Sequence, residues 1–245
     1  MNPLAQPTGQ KLPFVLVNMA MTADGKIATA NRVISSFGSA RDAEHLYELR
    51  TTADAVICGA RTVEASGTIL GNGGEKFRRQ RVKHGLGEYP LRIIVTGSGS
   101  MDLNADIFRK GVAPIIILTS RRVPAKRLAQ LRAVAHEVKI CGEQSVDLRA
   151  AARWLRLKWN VKRLLCEGGA ELNDAMFRAD LIDEINLTIC PKIFGGRHAP
   201  TISDGIGFSK LSLTRQYKFF STRLQKGELF TVFRRVGKPI SVSNP

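Results

Sequence analysis

The sequence predicts an α/β protein built on a mostly parallel sheet with helices on both faces. Three features carry that expectation. Short apolar runs alternate with amphipathic helical patterns along the 245 residues, glycine follows most of those runs, and the last two runs are joined by a hairpin turn. Strands that alternate with helices are linked by crossovers, which keep neighbouring strands parallel and need helical cover on both sides.

The predicted strands are 14–19, 55–58, 92–96, 115–119, 137–141, 163–166 and 184–190. Most are short, near-continuous apolar runs, the pattern of strands buried on both faces. After the first, a helix is expected from Ser39, a capping residue, with Asp42 three positions on as a capping-box variant and Ala43, Leu46 and Leu49 as its buried face. A second helix begins near Pro124, suited to a first turn, and carries Leu128, Leu131 and Ala135. A third runs from Asp147 with Leu148, Ala152, Leu155 and Trp159 on one face, flanked by Arg149, Arg153 and Arg156. A fourth follows Gly168-Gly169 with Leu172, Ala175, Met176 and Ala179. Segments 211–224 and 228–236 flank Gln225-Lys226-Gly227, so the sheet is expected to finish antiparallel. Stretch 66–90, rich in glycine and basic residues, reads as a long surface loop with one helical turn. Nothing resembling a repeat or linker intervenes, so 11–237 are expected to form one domain, with 1–10 and 238–245 frayed.

Charge bears on partners. Thirty-seven Lys and Arg against twenty-one Asp and Glu give +16, which raises the question of nucleic acid. The basic residues are spread through FRRQRVKH (77–84), RRVPAKR (121–127) and RWLRLKWNVKR (153–163), with no aromatic-studded RNA motif and no basic tail. A site for two phosphorylated small molecules favours the same positive field, and that is the expectation preferred to nucleic-acid binding. Cys58, Cys141, Cys166 and Cys190 fall on apolar runs without C-x-x-C spacing, so buried thiols are expected rather than a metal site. The apolar run 112–118 holds Pro114 and is far short of a membrane span, and the first residues lack the apolar core of a signal peptide, so the expected compartment is the cytoplasm.

In open parallel sheets, ligands bind beyond the carboxyl ends of the strands. Those ends read CGART (58–62), VTGSGS (95–100), LTSRR (118–122), KICGE (139–143) and LCEGGAELN (165–173). Glycine there either makes a tight turn or lets backbone approach a phosphate. Neither G-x-G-x-x-G after the first strand nor the P-loop pattern is present. Glu167-Gly168-Gly169 followed at once by a helix suits a pyrophosphate, which a helix N-terminus attracts. Asp24-Gly25 after the first strand is a turn signal in its own right.

Together N-M-A-M-T-A-D-G-K-I (18–27), E-L-R-T-T-A-D-A-V-I-C-G-A-R-T (48–62), L-L-C-E-G-G-A-E-L-N (164–173) and L-I-D-E-I-N-L-T-I-C-P-K-I-F-G-G (181–196), with A-P-T (199–201), resemble the reductase family of riboflavin biosynthesis. The resemblance implies a dihydrofolate-reductase-like fold, NADPH as cofactor, a phosphoribosylaminopyrimidine as substrate and a homodimer. It implies cofactor contacts from Gly59, Thr62, Ser66, Thr96, Gly97, Gly168, Gly169, Ala170, Glu171, Leu172 and Asn173, and on to Ala175. Ser36, Arg50 and Glu167 are implied to face the substrate or nicotinamide edge. Asp24, Lys26 and Glu167 are the candidates for moving the proton. Arg121 and Arg122 are candidate partners of a 2′-phosphate. Where many members carry D-D-P, this chain has Ser66-Gly67-Thr68 and then the basic segment 71–83. The H-x-E and P-C-x-x-C motifs of the zinc deaminase often fused to bacterial members are missing, so a reductase alone is expected. The competing expectations are a reductase of another pterin- or pyrimidine-like substrate, and a nucleic-acid binder on an inactive reductase fold.

Overall fold

The computed structural model describes residues 12–32, 37–109 and 111–237. Strand β1 (Phe14–Thr22) leads to α1 (Ala40–Arg50), β2 (Ala55–Gly59), α2 (Ala60–Ser66), α3 (Glu75–Lys83) and β3 (Leu91–Val95). Next come α4 (Asp106–Arg109), β4 (Ile115–Thr119), α5 (Ala125–Val134), β5 (Glu137–Ile140), α6 (Leu148–Lys158) and β6 (Arg163–Cys166). Helix α7 (Ala170–Arg178), β7 (Ile182–Cys190), a single 3₁₀ turn at Leu211–Leu213, β8 (Tyr217–Gln225) and β9 (Glu228–Arg235) complete the order.

Among the described residues one sheet contains nine strands, in the order β5-β4-β3-β2-β6-β1-β7-β9-β8. Pairs from β5 to β7 are parallel, and β7–β9 and β9–β8 are antiparallel. The expected fold class therefore holds, hairpin included. Alternate residues of each central strand enter two cores. Val15, Val17, Ala55 and Ile57 pack under Leu155 of α6 and Met176 of α7. Leu16, Val56, Cys58 and Ile94 pack under Val63 of α2, Ile107 of α4 and Leu131 of α5. Burying both faces explains why these strands lack polar alternation.

Several local expectations are corrected. Segment 66–90 is not one loop: it holds α3, nine residues long, whose buried side chains are Phe77 and Arg81. Arg81 is 1% exposed and donates to the carbonyls of Gly87, Ala53 and Arg50, tying α3 to the end of α1. On α1, Ala43 is exposed, Leu46 and Leu49 are half-buried, and His45 and Arg50 are the buried residues. Its capping box is only half local. The Ser39 hydroxyl accepts from the Arg41 and Asp42 amides, but the Ser39 amide donates to Glu228 of β9 at 2.7 Å, not to Asp42. Strand β8 starts at Tyr217, not at 211, because a 3₁₀ turn occupies Leu211–Leu213. The four cysteines are buried free thiols, as expected. The stretches expected to fray, 1–10 and 238–245, lie outside the described residues.

Candidate active site

Beyond the carboxyl ends of β1, β2 and β6, and under α1 and α2, lies a cleft of about 270 Å³. Its lining includes Asn18, Met19, Asp42, Arg50, Cys58, Thr62, Ser66, Leu70, Glu167 and Gly169.

The β2–β6 ladder brings its glycines together. The Glu167 amide donates to the Ile57 carbonyl at 3.0 Å and the Gly59 amide to the Gly168 carbonyl at 2.8 Å. A Cβ on Gly169 would stand 2.9 Å from the Thr62 hydroxyl, and one on Gly168 would stand 3.0 Å from Met19 Sδ. Gly168 also has φ +76°, a conformation side chains resist. Gly169 caps α7 with no side chain, which leaves that helix's first amides to backbone, water or ligand. Walls without Cβ atoms beside an uncapped helix start fit the pyrophosphate of a nicotinamide dinucleotide. Gly142 serves differently: its Cβ would run into the Ser145 carbonyl at 2.2 Å, so it makes a tight turn after β5.

The cleft's charged centre is Arg50 with Glu167. Arg50 Nε and Nη2 donate to the two Glu167 oxygens at 2.7 and 2.6 Å, and Nη1 donates to the Gly71 carbonyl at 2.7 Å. Desolvation opposes the guanidinium charge, but the Glu167 carboxylate more than offsets it and holds Arg50 above its ordinary range. The side chains are 5% and 11% exposed, so this is a buried, bidentate pair.

The other expected residues divide. Thr62 and Ser66 line the cleft with Gly169, and the Ser66 hydroxyl donates to the Thr62 carbonyl at 2.6 Å. Thr96 and Gly97 follow β3, where their carbonyls accept from Thr119 and Ser120 at 2.7 Å each, and a Cβ on Gly97 would meet open space. Leu172 joins a core cluster and Asn173 donates to the Ile202 carbonyl at 2.7 Å, so both side chains are engaged inside the protein. Glu171 pairs with Arg61 on the surface. Arg121 and Arg122 are exposed, the first paired with Glu143. Ser36 lies outside the described residues.

Asp24 and Lys26 do not line the cleft; Ile27 does. Asp24 accepts from the Thr22 hydroxyl at 2.5 Å and from the amides of Phe194 and Gly195 at 3.2 and 2.7 Å. The Thr22 bond first, then the two amides, outweigh desolvation and keep its carboxyl below the usual range. The Phe194 ring meets Phe37, a cleft residue, with centroids 5.0 Å apart, so Asp24 acts on the wall through this loop. Lys26 Nζ donates to the Ala199 carbonyl at 3.1 Å.

Sequence reading missed Asn18, Asp42 and Cys58 as cleft residues. Asn18 was visible only as the first residue of the 18–27 motif and Asp42 only as a capping-box candidate, since neither the strand nor the helix pattern says which face meets a ligand. A more open hollow of about 440 Å³ beside α7 is lined by Asp174, Arg178 and Asp204, but its acids already have partners in Arg178, the Gly207 amide and Thr201. Among the described residues no group of His, Cys, Asp and Glu could hold a metal ion, and no helix is long and apolar enough to cross a membrane.

Comparison with known proteins places the geometry in a family. The 2,5-diamino-6-ribosylamino-4(3H)-pyrimidinone 5′-phosphate reductase of Methanothermobacter thermautotrophicus is 37% identical over 202 residues, 82% of this chain and 88% of that protein. The enzyme of the same name from Archaeoglobus fulgidus is 34% identical over 198 residues, 81% and 89% of the two chains. Among solved structures, a pyrimidine reductase-like protein from Corynebacterium diphtheriae superposes with a TM-score of 0.77 at 22% identity, covering 92% of this chain and 93% of that one. The RibD C-terminal domain model matches residues 13–226, and the chain belongs to that family.

Proposed function

We propose that this protein is a cytoplasmic, homodimeric reductase of riboflavin biosynthesis that uses NADPH to convert the ribosylamino side chain of a phosphoribosylaminopyrimidine to the ribitylamino form. One observation carries the reading: in a member of this family, the glycine-walled helix start at Gly169 opens onto the same cleft as the buried Arg50–Glu167 pair. A phosphate-tolerant wall and a fixed carboxylate are what a hydride transfer to a sugar phosphate needs close together.

When bound, NADPH supplies a hydride to C1′ of the ring-opened sugar, whose nitrogen then takes up a proton. Gly59, Gly168, Gly169 and Ala170 leave room for the cofactor's phosphates, and the hydroxyls of Thr62 and Ser66 hydrogen-bond along it. Thr96 and Gly97 extend that track across β3. Arg50 fixes both Glu167 oxygens, and each keeps a lone pair for a ribose hydroxyl. Asp24 stays ionised and positions the Phe194–Phe37 wall. Of the three proton candidates Glu167 is the one that lines the cleft, and it relays the proton through water.

The test is NADPH oxidation with the deaminated and the 2-amino pyrimidine phosphates side by side. Turnover of either supports the reading and their kcat/KM ratio identifies the substrate. No oxidation with both overturns it.

A further inference from the structure

Asp42, Leu46 and Arg50 are spaced four residues apart on α1, and all three line the cleft. At ~1.5 Å of rise per residue, Asp42 lies about 12 Å along the helix from Arg50. The cleft thus has a second polar end, out of reach of the Arg50–Glu167 pair.

Two side chains mark it. Asn18, 9% exposed on β1, lines the cleft, and its Oδ1 has no hydrogen-bond partner among the described residues. Native proteins seldom leave a buried amide oxygen unpaired, and a ligand N–H answers it. Asp42 makes no ion pair with a described Lys or Arg, and it lies so close under the 37–38 turn that a Cβ on Gly38 would fall 2.3 Å from its Oδ2. The β1–β7 register pairs Asn18 with Asn186 and Ala20 with Thr188, which sets Asn18 and Thr188 on one sheet face. The Thr188 hydroxyl stands beside Asp42.

We propose that Asn18 and Asp42 together recognise the lactam edge of the substrate's pyrimidine, the Asn18 carbonyl accepting the ring N–H and the Asp42 carboxyl donating to the adjoining exocyclic carbonyl oxygen. This rests on the functional reading above, and that edge is common to both candidate pyrimidines. The surroundings of Asp42 favour a donor. Burial raises its carboxyl above the usual range and the Glu228 charge on β9 adds to the rise, against the Thr188 hydroxyl and His45. Glu228 itself accepts from the Ser39 amide and hydroxyl on α1 and from Cys190 Sγ on β7. A carboxylate at this position would repel that carbonyl oxygen. Recognition is therefore present below the Asp42 pKa and lost as pH rises through it.

The experiment measures KM for the pyrimidine and Kd for NADPH from pH 5 to 9 in the wild type, Asp42→Asn and Asp42→Ala, with folding checked by circular dichroism. In the wild type, pyrimidine KM rises toward high pH while NADPH affinity stays level. Asp42→Asn keeps a neutral donor, so its KM stays within about threefold of the acid wild-type value and loses the pH dependence. Asp42→Ala raises KM about tenfold at acid pH with kcat little changed, the loss of one hydrogen bond made equally in ground and transition states. Asn18→Ala repeats that rise. A flat wild-type profile, or an Asp42→Ala enzyme with wild-type KM, overturns the proposal. A wild type that oxidises no NADPH with either pyrimidine overturns the functional reading, and this one with it.

Discussion

Arg50 shows how one side chain acquires two tasks. At the end of α1 its charge complements the helix dipole, which is all that local sequence reveals. Its carboxylate partner is Glu167, 117 positions away, and only the neighbouring of β2 and β6 brings them together. A buried pair of this kind is weak as a source of net stability but costly to break from one side, at ~3–5 kcal/mol. Arg50→Ala is therefore expected to lower unfolding free energy by about that amount in urea titrations and to raise pyrimidine KM. Removing Glu167 as well, as Arg50→Met with Glu167→Leu, should restore part of the stability and none of the activity. Equal stability of the Arg50→Ala variant and the wild type would place the pair's role elsewhere.

Element by element, legibility followed what each pattern hides. Strands β2, β4 and β6 were readable because strands buried on both faces are plain apolar runs. Helix α3 was not, because half of its buried face is an arginine. With Arg81 among EKFRRQRVK the segment looks uniformly solvated, whereas its guanidinium caps three carbonyls and burial lowers its pKa to about 10. Arg81→Ala would orphan those carbonyls and is expected to cost ~2–4 kcal/mol, read as a fall in Tm and faster proteolysis between α1 and β3. The glycine joint between β6 and α7 was legible because its spacing is local, although the sequence could not say which strand end would face it. Thr62 does, from α2. Gly169→Val pushes directly on that hydroxyl, so a folded variant with at least tenfold weaker NADPH binding is expected. Unchanged affinity by fluorescence titration would confine this joint to a structural role.

Across the whole molecule, topology sorts charge into use. Sheet order places the ends of β4, β3, β2, β6 and β1 side by side, so loops distant in sequence share one rim. A small part of the charge lies inside the fold: Arg50, Arg81 and Arg92 are buried against carbonyls or a carboxylate. Of the cations at that rim, Arg61 and Arg121 are two-thirds exposed and paired only with the surface acids Glu171 and Glu143. Such pairs are worth ~0–1 kcal/mol and exchange readily for a phosphate. A positive field attracts a small, highly charged anion. Two outcomes follow. NADPH should bind at least tenfold more tightly than NADH, from one charge-assisted contact to the 2′-phosphate worth ~1.5–3 kcal/mol, and this margin should shrink between 0.05 and 0.5 M salt as screening grows. Duplex DNA added at 0.15 M salt should leave NADPH oxidation unchanged. Equal affinity for the two cofactors would remove the exposed arginines from cofactor choice, and inhibition by DNA that salt relieves would give the surplus charge a second partner.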